Sequence, residues 1–74
     1  MTFFQRLRDA REDADKSQSE IANILKTSQQ QYSRWESGSY QMPIESYKIL
    51  ARYYNLSVDY LAGLIDEPKK LYRN

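Results

Sequence analysis

The feature that most constrains this chain is a pair of short helical patterns separated by three residues, within residues 18–38. Ser17 and Glu20 form the Ser-x-x-Glu arrangement that caps a helix N-terminus, so the first helix begins at Gln18. The residues from Lys26 to Ser28 then break the pattern, and a second helix follows, with Ser28 or Thr27 as its N-cap and its end at Gly38. Helices joined by so short a turn must pack against each other. Residues 18–38 therefore predict one paired-helix unit.

The rest of the chain predicts an all-α fold of five short helices in one compact bundle, because no strand pattern or repeat is present. The first helix begins near Thr2, with Phe3 and Phe4 on its apolar face, and ends near Asp13. Pro43 suits the first turn of the fourth helix, and Asn55 is its expected left-handed stop. Ser57 caps a fifth helix over VDYLAGL. The predicted core is Leu7, Ile21, Ala22, Leu25, Tyr32, Trp35, Leu50 and Leu61.

Length and composition limit what the chain can do. Its 74 residues form one domain, which we place at residues 1–66, followed by a tail at 67–74. The chain contains no cysteine or histidine, which excludes zinc fingers, thiol nucleophiles and histidine acid-base chemistry. We expect no catalytic residue, metal or cofactor, and hence no enzyme. No apolar run or apolar N-terminus suggests a membrane or a signal peptide, so we expect a cytoplasmic, nucleoid-associated protein.

The third helix has an unusual outward face. On a helical wheel, Tyr32 and Trp35 mark its buried side, and the residues opposite are polar with a single charge, Arg34. A solvated helix without a binding role usually carries Glu and Lys pairs there. Glutamine can pair with adenine, arginine with guanine and serine with either base. The face therefore predicts contact with base edges in DNA, through Gln29 at its flank, Gln30, Ser33 and Arg34.

Several motifs occur together along the chain: Gln18, Glu20-Ile21-Ala22, Ser28-Gln29-Gln30, Trp35-Glu36, Gly38 and Leu56 to Leu61. With these motifs, residues 5–64 resemble the helix-turn-helix domain of lambdoid phage repressors, Cro proteins and the wider Xre family of bacterial regulators. The resemblance implies a lambda repressor-like bundle whose recognition helix, about residues 28–37, enters the major groove of a double-stranded DNA operator. It also implies a homodimer on paired half-sites roughly 34 Å apart, with the segment after helix five contributing to dimerisation.

The resemblance also assigns roles to individual residues. Gln18 would bond a backbone phosphate. Arg11 and Glu36 would form a partly buried ion pair between helices one and three, the alternative being a pair of solvated charges. A recognition helix in the groove brings the neighbouring helix ends and the following loop near the DNA backbone. The further phosphate candidates are Arg6, Arg8, Lys26, Gln31, Tyr40 and Gln41.

Some residues depart from the family pattern. Lys26 occupies a turn position where glycine is common because the backbone there can require a positive φ. Asp15 and Lys16 replace a glycine and a leucine, and the loop after the third helix lacks basic residues. The net charge is only +1, and the chain has seven tyrosines, a residue enriched at protein interfaces. Two alternatives therefore stay open: a plain structural helical hairpin, and an antitoxin-like or regulatory protein-interaction module with weak or no DNA binding.

Overall fold

The computed structural model of this chain describes residues 5–65 and residue 67. Five helices follow one another in this part of the chain. Their bounds are α1 Gln5–Asp13, α2 Gln18–Ile24, α3 Gln29–Ser37, α4 Ile44–Tyr54 and α5 Val58–Leu61. No strand occurs between residues 5 and 65, so the predicted all-α fold with five helices is confirmed. Thr2, Phe3, Phe4 and the predicted tail other than Glu67 lie outside the described residues.

Three serines begin helices as the sequence predicts. The Ser17 hydroxyl accepts a hydrogen bond from the Glu20 backbone N–H at 3.1 Å, and the Glu20 carboxylate accepts one from the Ser17 N–H at 3.1 Å. This reciprocal pair is a complete capping box. Ser28, rather than Thr27, caps α3 by accepting from the Gln31 N–H at 3.1 Å. Ser57 caps α5 in the same way.

Two helix boundaries differ from the prediction. Pro43 precedes α4 as its N-cap, with extended backbone angles, and is not part of the first turn. Helix α5 ends at Leu61 instead of running through Leu64. Gly63 has a φ of 82°, and the Leu64 N–H donates back to the Asp59 carbonyl at 2.8 Å, so the chain turns out of the helix there. Leu64 is consequently 75% exposed.

The core lies between α1, α2, α3, α4 and α5, and every residue that the sequence assigned to it is buried. Tyr32 and Trp35 bury one side of α3 in this core, which leaves the opposite side of α3 facing outward. The buried apolar set is Leu7, Ala10, Ile21, Ala22, Leu25, Tyr32, Trp35, Met42, Tyr47, Leu50, Ala51 and Leu61. In residues 5–65 and 67, no helix has the length and apolar composition needed to cross a bilayer.

Candidate nucleic-acid interface

The turn between α2 and α3 fixes the direction of α3. The N–H of Lys26 donates to the Asn23 carbonyl at 3.1 Å, and the N–H of Thr27 donates to the Ala22 carbonyl at 2.9 Å. These bonds close the end of α2 and require a left-handed residue, which Lys26 supplies with a φ of 57°. The turn therefore adopts the positive φ for which glycine is the usual residue, with lysine in its place.

The outward side of α3 exposes the glutamines predicted to read bases. Gln29, Gln30 and Arg34 are exposed, and Ser33 is half-buried. The one acid of this helix, Glu36, is only 7% exposed. The exposed side chains of α3 are therefore neutral hydrogen-bonding groups and one arginine. Such a surface can donate and accept hydrogen bonds without repelling a polyanion.

Glu36 is held by Arg11 in a two-point ion pair. Arg11 Nε donates to Glu36 Oε2 at 3.0 Å, and Arg11 Nη2 donates to Glu36 Oε1 at 3.0 Å. A third guanidinium nitrogen, Nη1, donates to the Lys16 carbonyl at 2.8 Å. The pair thus joins α1 to α3 and to the segment that leads into α2, in the arrangement expected from the family resemblance.

Gln18 also bonds to this ion pair, which the sequence did not reveal. Its amide nitrogen Nε2 donates to Glu36 Oε1 at 3.3 Å, so the side chain proposed for a phosphate is oriented by the acid of α3. Burial disfavours the charge of Glu36, but the interactions that favour it, with the hydrogen bond from Arg11 as the largest, outweigh this effect and hold the pKa of Glu36 below its ordinary value. The hydrogen bond to Glu36 likewise raises the pKa of Arg11. The cluster stays ionised at neutral pH.

The basic phosphate candidates are in different environments. Arg6 is only 7% exposed, and its Nη1 donates to the carbonyls of Tyr60 and Ile65 at 2.9 and 2.6 Å. Its guanidinium carbon also lies 4.4 Å from the centroid of the Tyr60 ring. Because these contacts hold Arg6 inside the bundle, we leave it out of the proposed interface. Arg8 is exposed and bonds Glu12 at 3.3 Å, and Lys26 is exposed.

The loop after α3 folds back on Arg34. The backbone N–H groups of Ser39 and Tyr40 donate to the Arg34 carbonyl at 3.0 and 3.3 Å. The Arg34 guanidinium carbon lies 5.6 Å from the centroid of the Tyr40 ring. Gln41, the residue after Tyr40, is exposed, and Gln31, at the start of α3, is half-buried. The sequence placed Tyr40 in the loop, but its contact with Arg34 depends on the turn conformation.

Several of the acidic side chains lie on α1 and α2 or between them. Asp9, Glu12 and Asp13 lie on α1, Asp15 follows α1, and Glu20 lies in α2. In the part of the chain that the structure describes, no group of three acids, histidines or cysteines is arranged to hold a metal ion. The exposed side of α3 therefore carries no acid, although the whole chain has ten acidic residues.

The model of the helix-turn-helix family matches residues 7–61 of this chain. The chain belongs to the helix-turn-helix family. It is also 35% identical over 66 residues to a protein of Bacillus subtilis (strain 168) named as an uncharacterized HTH-type transcriptional regulator, YobD. That alignment covers 89% of this chain and 59% of the relative, so the chain spans about three fifths of the relative's length. No solved structure matches the chain. The family predicted from the motifs is confirmed.

Proposed function

We propose that this helix-turn-helix chain is a sequence-specific DNA-binding transcriptional regulator that inserts α3 into the major groove of duplex DNA. The observation that carries the proposal is the outward face of α3, which exposes Gln29, Gln30 and Arg34 and no acid. A relative named as a transcriptional regulator, 35% identical, supports the same class of function. Membership of this family agrees with the prediction that the chain is not an enzyme.

Base recognition would come from α3 and positioning from its surroundings. Gln29 and Gln30 can each form a paired donor and acceptor contact with adenine, and Arg34 can do the same with guanine. Phosphate contacts fix the register of the helix without reading sequence. The side chains that remain suited to phosphate are Gln18, Arg8, Lys26, Gln31, Tyr40 and Gln41.

We further propose that the regulator acts as a homodimer in the cytoplasm and represses transcription. One recognition helix covers about four or five base pairs, which is too few for selective binding, and two-fold dimers on half-sites one helical turn apart solve this problem. Two bound copies would then exclude other proteins from a promoter. No bond is made or broken in this mechanism.

The second candidate is a protein-interaction module, and exposed apolar side chains favour it. Tyr40, Ile44, Ile49, Tyr53 and Leu64 are all more than a third exposed. Apolar and aromatic groups are typical of the buried centre of protein interfaces. The two candidates differ in one respect: a module of this kind requires no DNA, whereas a DNA reader binds even random duplex at low salt.

The test begins with selection of bound fragments from a random duplex library, which gives the half-site and its spacing. On the selected duplex, Gln29→Ala and Gln30→Ala should each weaken binding by about 1 to 3 kcal/mol, because each removes a two-point contact with a base. Asn23→Ala, which removes an exposed amide from α2, is the matched control and should bind as the unchanged chain does. Thermal melting of the three variants should match that of the unchanged chain.

A variant of the core should lose stability, in contrast to the two glutamine variants. Trp35→Ala should lower the free energy of unfolding by roughly 3 to 5 kcal/mol, because Trp35 is buried in the core beneath the proposed reading face. If the two glutamine variants instead lost stability in parallel with affinity, their role would be structural. Failure of the chain to bind any duplex at low salt would remove the proposed function.

A further inference from the structure

We propose that Tyr40 is a positioning residue that holds the Arg34 guanidinium ready for guanine, and so sets the base preference at one position of the operator. This inference rests on the proposed function, because it assigns a specificity role within the same interface. It gives Tyr40 a role different from the phosphate contact predicted from the sequence. Tyr40 would act on the DNA through Arg34.

The geometry brings the two side chains together on the surface. Tyr40 is 57% exposed, so the ring lies outside the core. The Arg34 guanidinium carbon is 5.6 Å from the ring centroid, within the distance at which a cation is attracted to an aromatic face. The backbone bonds from Ser39 and Tyr40 to the Arg34 carbonyl fix the loop in the position that makes this contact. The contact is therefore built into the end of α3.

The Arg34 guanidinium has no acidic partner in the described residues, which leaves its N–H groups available for a ligand. Among residues 5–65 and 67, no carboxylate pairs with Arg34, whereas Arg8, Arg11, Lys16 and Lys48 each pair with an acid. Arg34 is also the only basic residue in α3. Its guanidinium is thus held by an aromatic ring and has no acid competing for its N–H groups.

A cation–π contact of this kind suits recognition of guanine for two reasons. An arginine side chain loses up to about 2 kcal/mol of rotamer freedom when it is immobilised, and a stacked side chain has lost part of that freedom before DNA arrives. The Arg34 guanidinium lies over the face of the Tyr40 ring, whereas guanine pairs with the N–H groups along the edge of the guanidinium. The two contacts do not exclude each other, so Tyr40 can prepare Arg34 without blocking it.

The first measurement uses the free protein. In the NMR spectrum of the full chain, the ring of Tyr40 should shift the Arg34 side-chain proton resonances away from the values of an unstructured arginine. Tyr40→Phe should keep that shift because the ring remains, and Tyr40→Leu should abolish it. Unshifted resonances in the unchanged chain would mean that the side chains do not stack in solution and would overturn the proposal.

The second measurement uses the duplex selected by the unchanged chain and versions of it with each guanine replaced. Tyr40→Leu should weaken binding to the selected duplex about two- to fivefold, the range expected for an exposed cation–π contact. Tyr40→Phe should restore the affinity. In an Arg34→Ala background, Tyr40→Leu should have no further effect on affinity. On a duplex that lacks the guanine bound by Arg34, Tyr40→Leu should likewise have no effect. Tyr53→Leu, which changes an exposed tyrosine of α4, is the matched control and should leave affinity unchanged.

The contrary outcomes can be told apart. If Tyr40→Leu lowered affinity equally with Arg34 present and with Arg34→Ala, Tyr40 would contact the DNA directly. If Tyr40→Phe did not bind as tightly as the unchanged chain, the Tyr40 hydroxyl would make that contact. Either result would overturn the positioning role while keeping the proposed function. A chain that selects no duplex would overturn both, even if the NMR shift showed the ring stacked on Arg34.

Discussion

Three residues other than glycine have left-handed backbones in the described part of the chain: Asp15 with a φ of 58°, Lys26 with 57° and Asn55 with 55°. Asparagine tolerates this conformation, whereas for lysine the side chain crowds the following carbonyl at a cost of about 1 to 2 kcal/mol. Lys26 accepts this cost because the turn before α3 can close only with a positive φ. The strain lies next to the proposed reading helix.

Replacing Lys26 by glycine should therefore stabilise the protein. We expect Lys26→Gly to raise the free energy of unfolding by about 0.5 to 1 kcal/mol, since the relief of strain exceeds the entropy that glycine adds to the unfolded chain. Urea denaturation without DNA measures the change.

The matched control is Lys48→Gly. It places glycine in the middle of α4 at a similarly exposed lysine, and it should cost about 1 kcal/mol. If both glycine variants were destabilised alike, Lys26 would not be strained in solution.

At the scale of helices, the Arg11–Glu36 pair orients α3. A buried pair gains little net stability because both charges lose water, but removing one partner leaves the other buried alone. Here the same carboxylate also bonds the Gln18 amide, so one acid connects α1, α2 and α3. We interpret the cluster as a device that fixes the angle of the proposed reading helix and the position of a proposed phosphate contact.

Acid titration tests this interpretation. Because the pKa of native Glu36 is lowered from about 4.5, its ionisation contributes stability that is fully present above pH 4.5 and is lost as the pH falls through the lower native pKa. Glu36→Gln should be about 3 kcal/mol less stable at neutral pH and should lose less on acidification than the unchanged chain. Denaturation at a series of pH values gives both quantities.

Two other acids provide the comparison. Hydrogen bonds from Ser17 also lower the pKa of Glu20, but Glu20 titrates in both proteins, so the difference between them isolates Glu36. Glu45→Gln, at an exposed acid of α4, should change the neutral-pH stability by less than about 0.5 kcal/mol. If the free energies of unfolding of Glu36→Gln and of the unchanged chain fell equally on acidification, the Arg11–Glu36 pair would not form in solution.

The helices also show which features could be predicted from the sequence. The caps at Ser17, Ser28 and Ser57 were predictable because each depends on residues three positions apart. The bonds from Arg6 to Tyr60 and Ile65 join residues 54 and 59 positions apart, and no local pattern indicates them. The end of α5 was misjudged because VDYLAGL has a helical composition, yet Gly63 turns the backbone out of the helix.

At the scale of the whole molecule, the net charge of +1 conceals an uneven distribution. Exposed acids lie on α1, α2, α4 and α5, while the exposed part of α3 has Arg34 as its only charged residue. Most side chains proposed to meet phosphate are neutral, and neutral groups release few counterions when they bind. The charged phosphate candidates that remain are Arg8 and Lys26. Affinity would therefore depend mainly on hydrogen bonding and on the pairing of two copies.

This distribution predicts a shallow salt dependence. If Arg8 and Lys26 are the charged phosphate contacts in each copy of the proposed dimer, binding neutralises about four phosphates. The logarithm of the association constant should then fall by about 4 per tenfold rise in salt concentration. Lys26→Gln should reduce that slope by about 2, one charge per copy. Lys48→Gln, on α4 and paired with Glu45 at 3.6 Å, is the control and should keep the original slope. A slope near 8, or one that Lys26→Gln leaves unchanged, would mean that other cations hold the backbone and that Lys26 points away from the DNA.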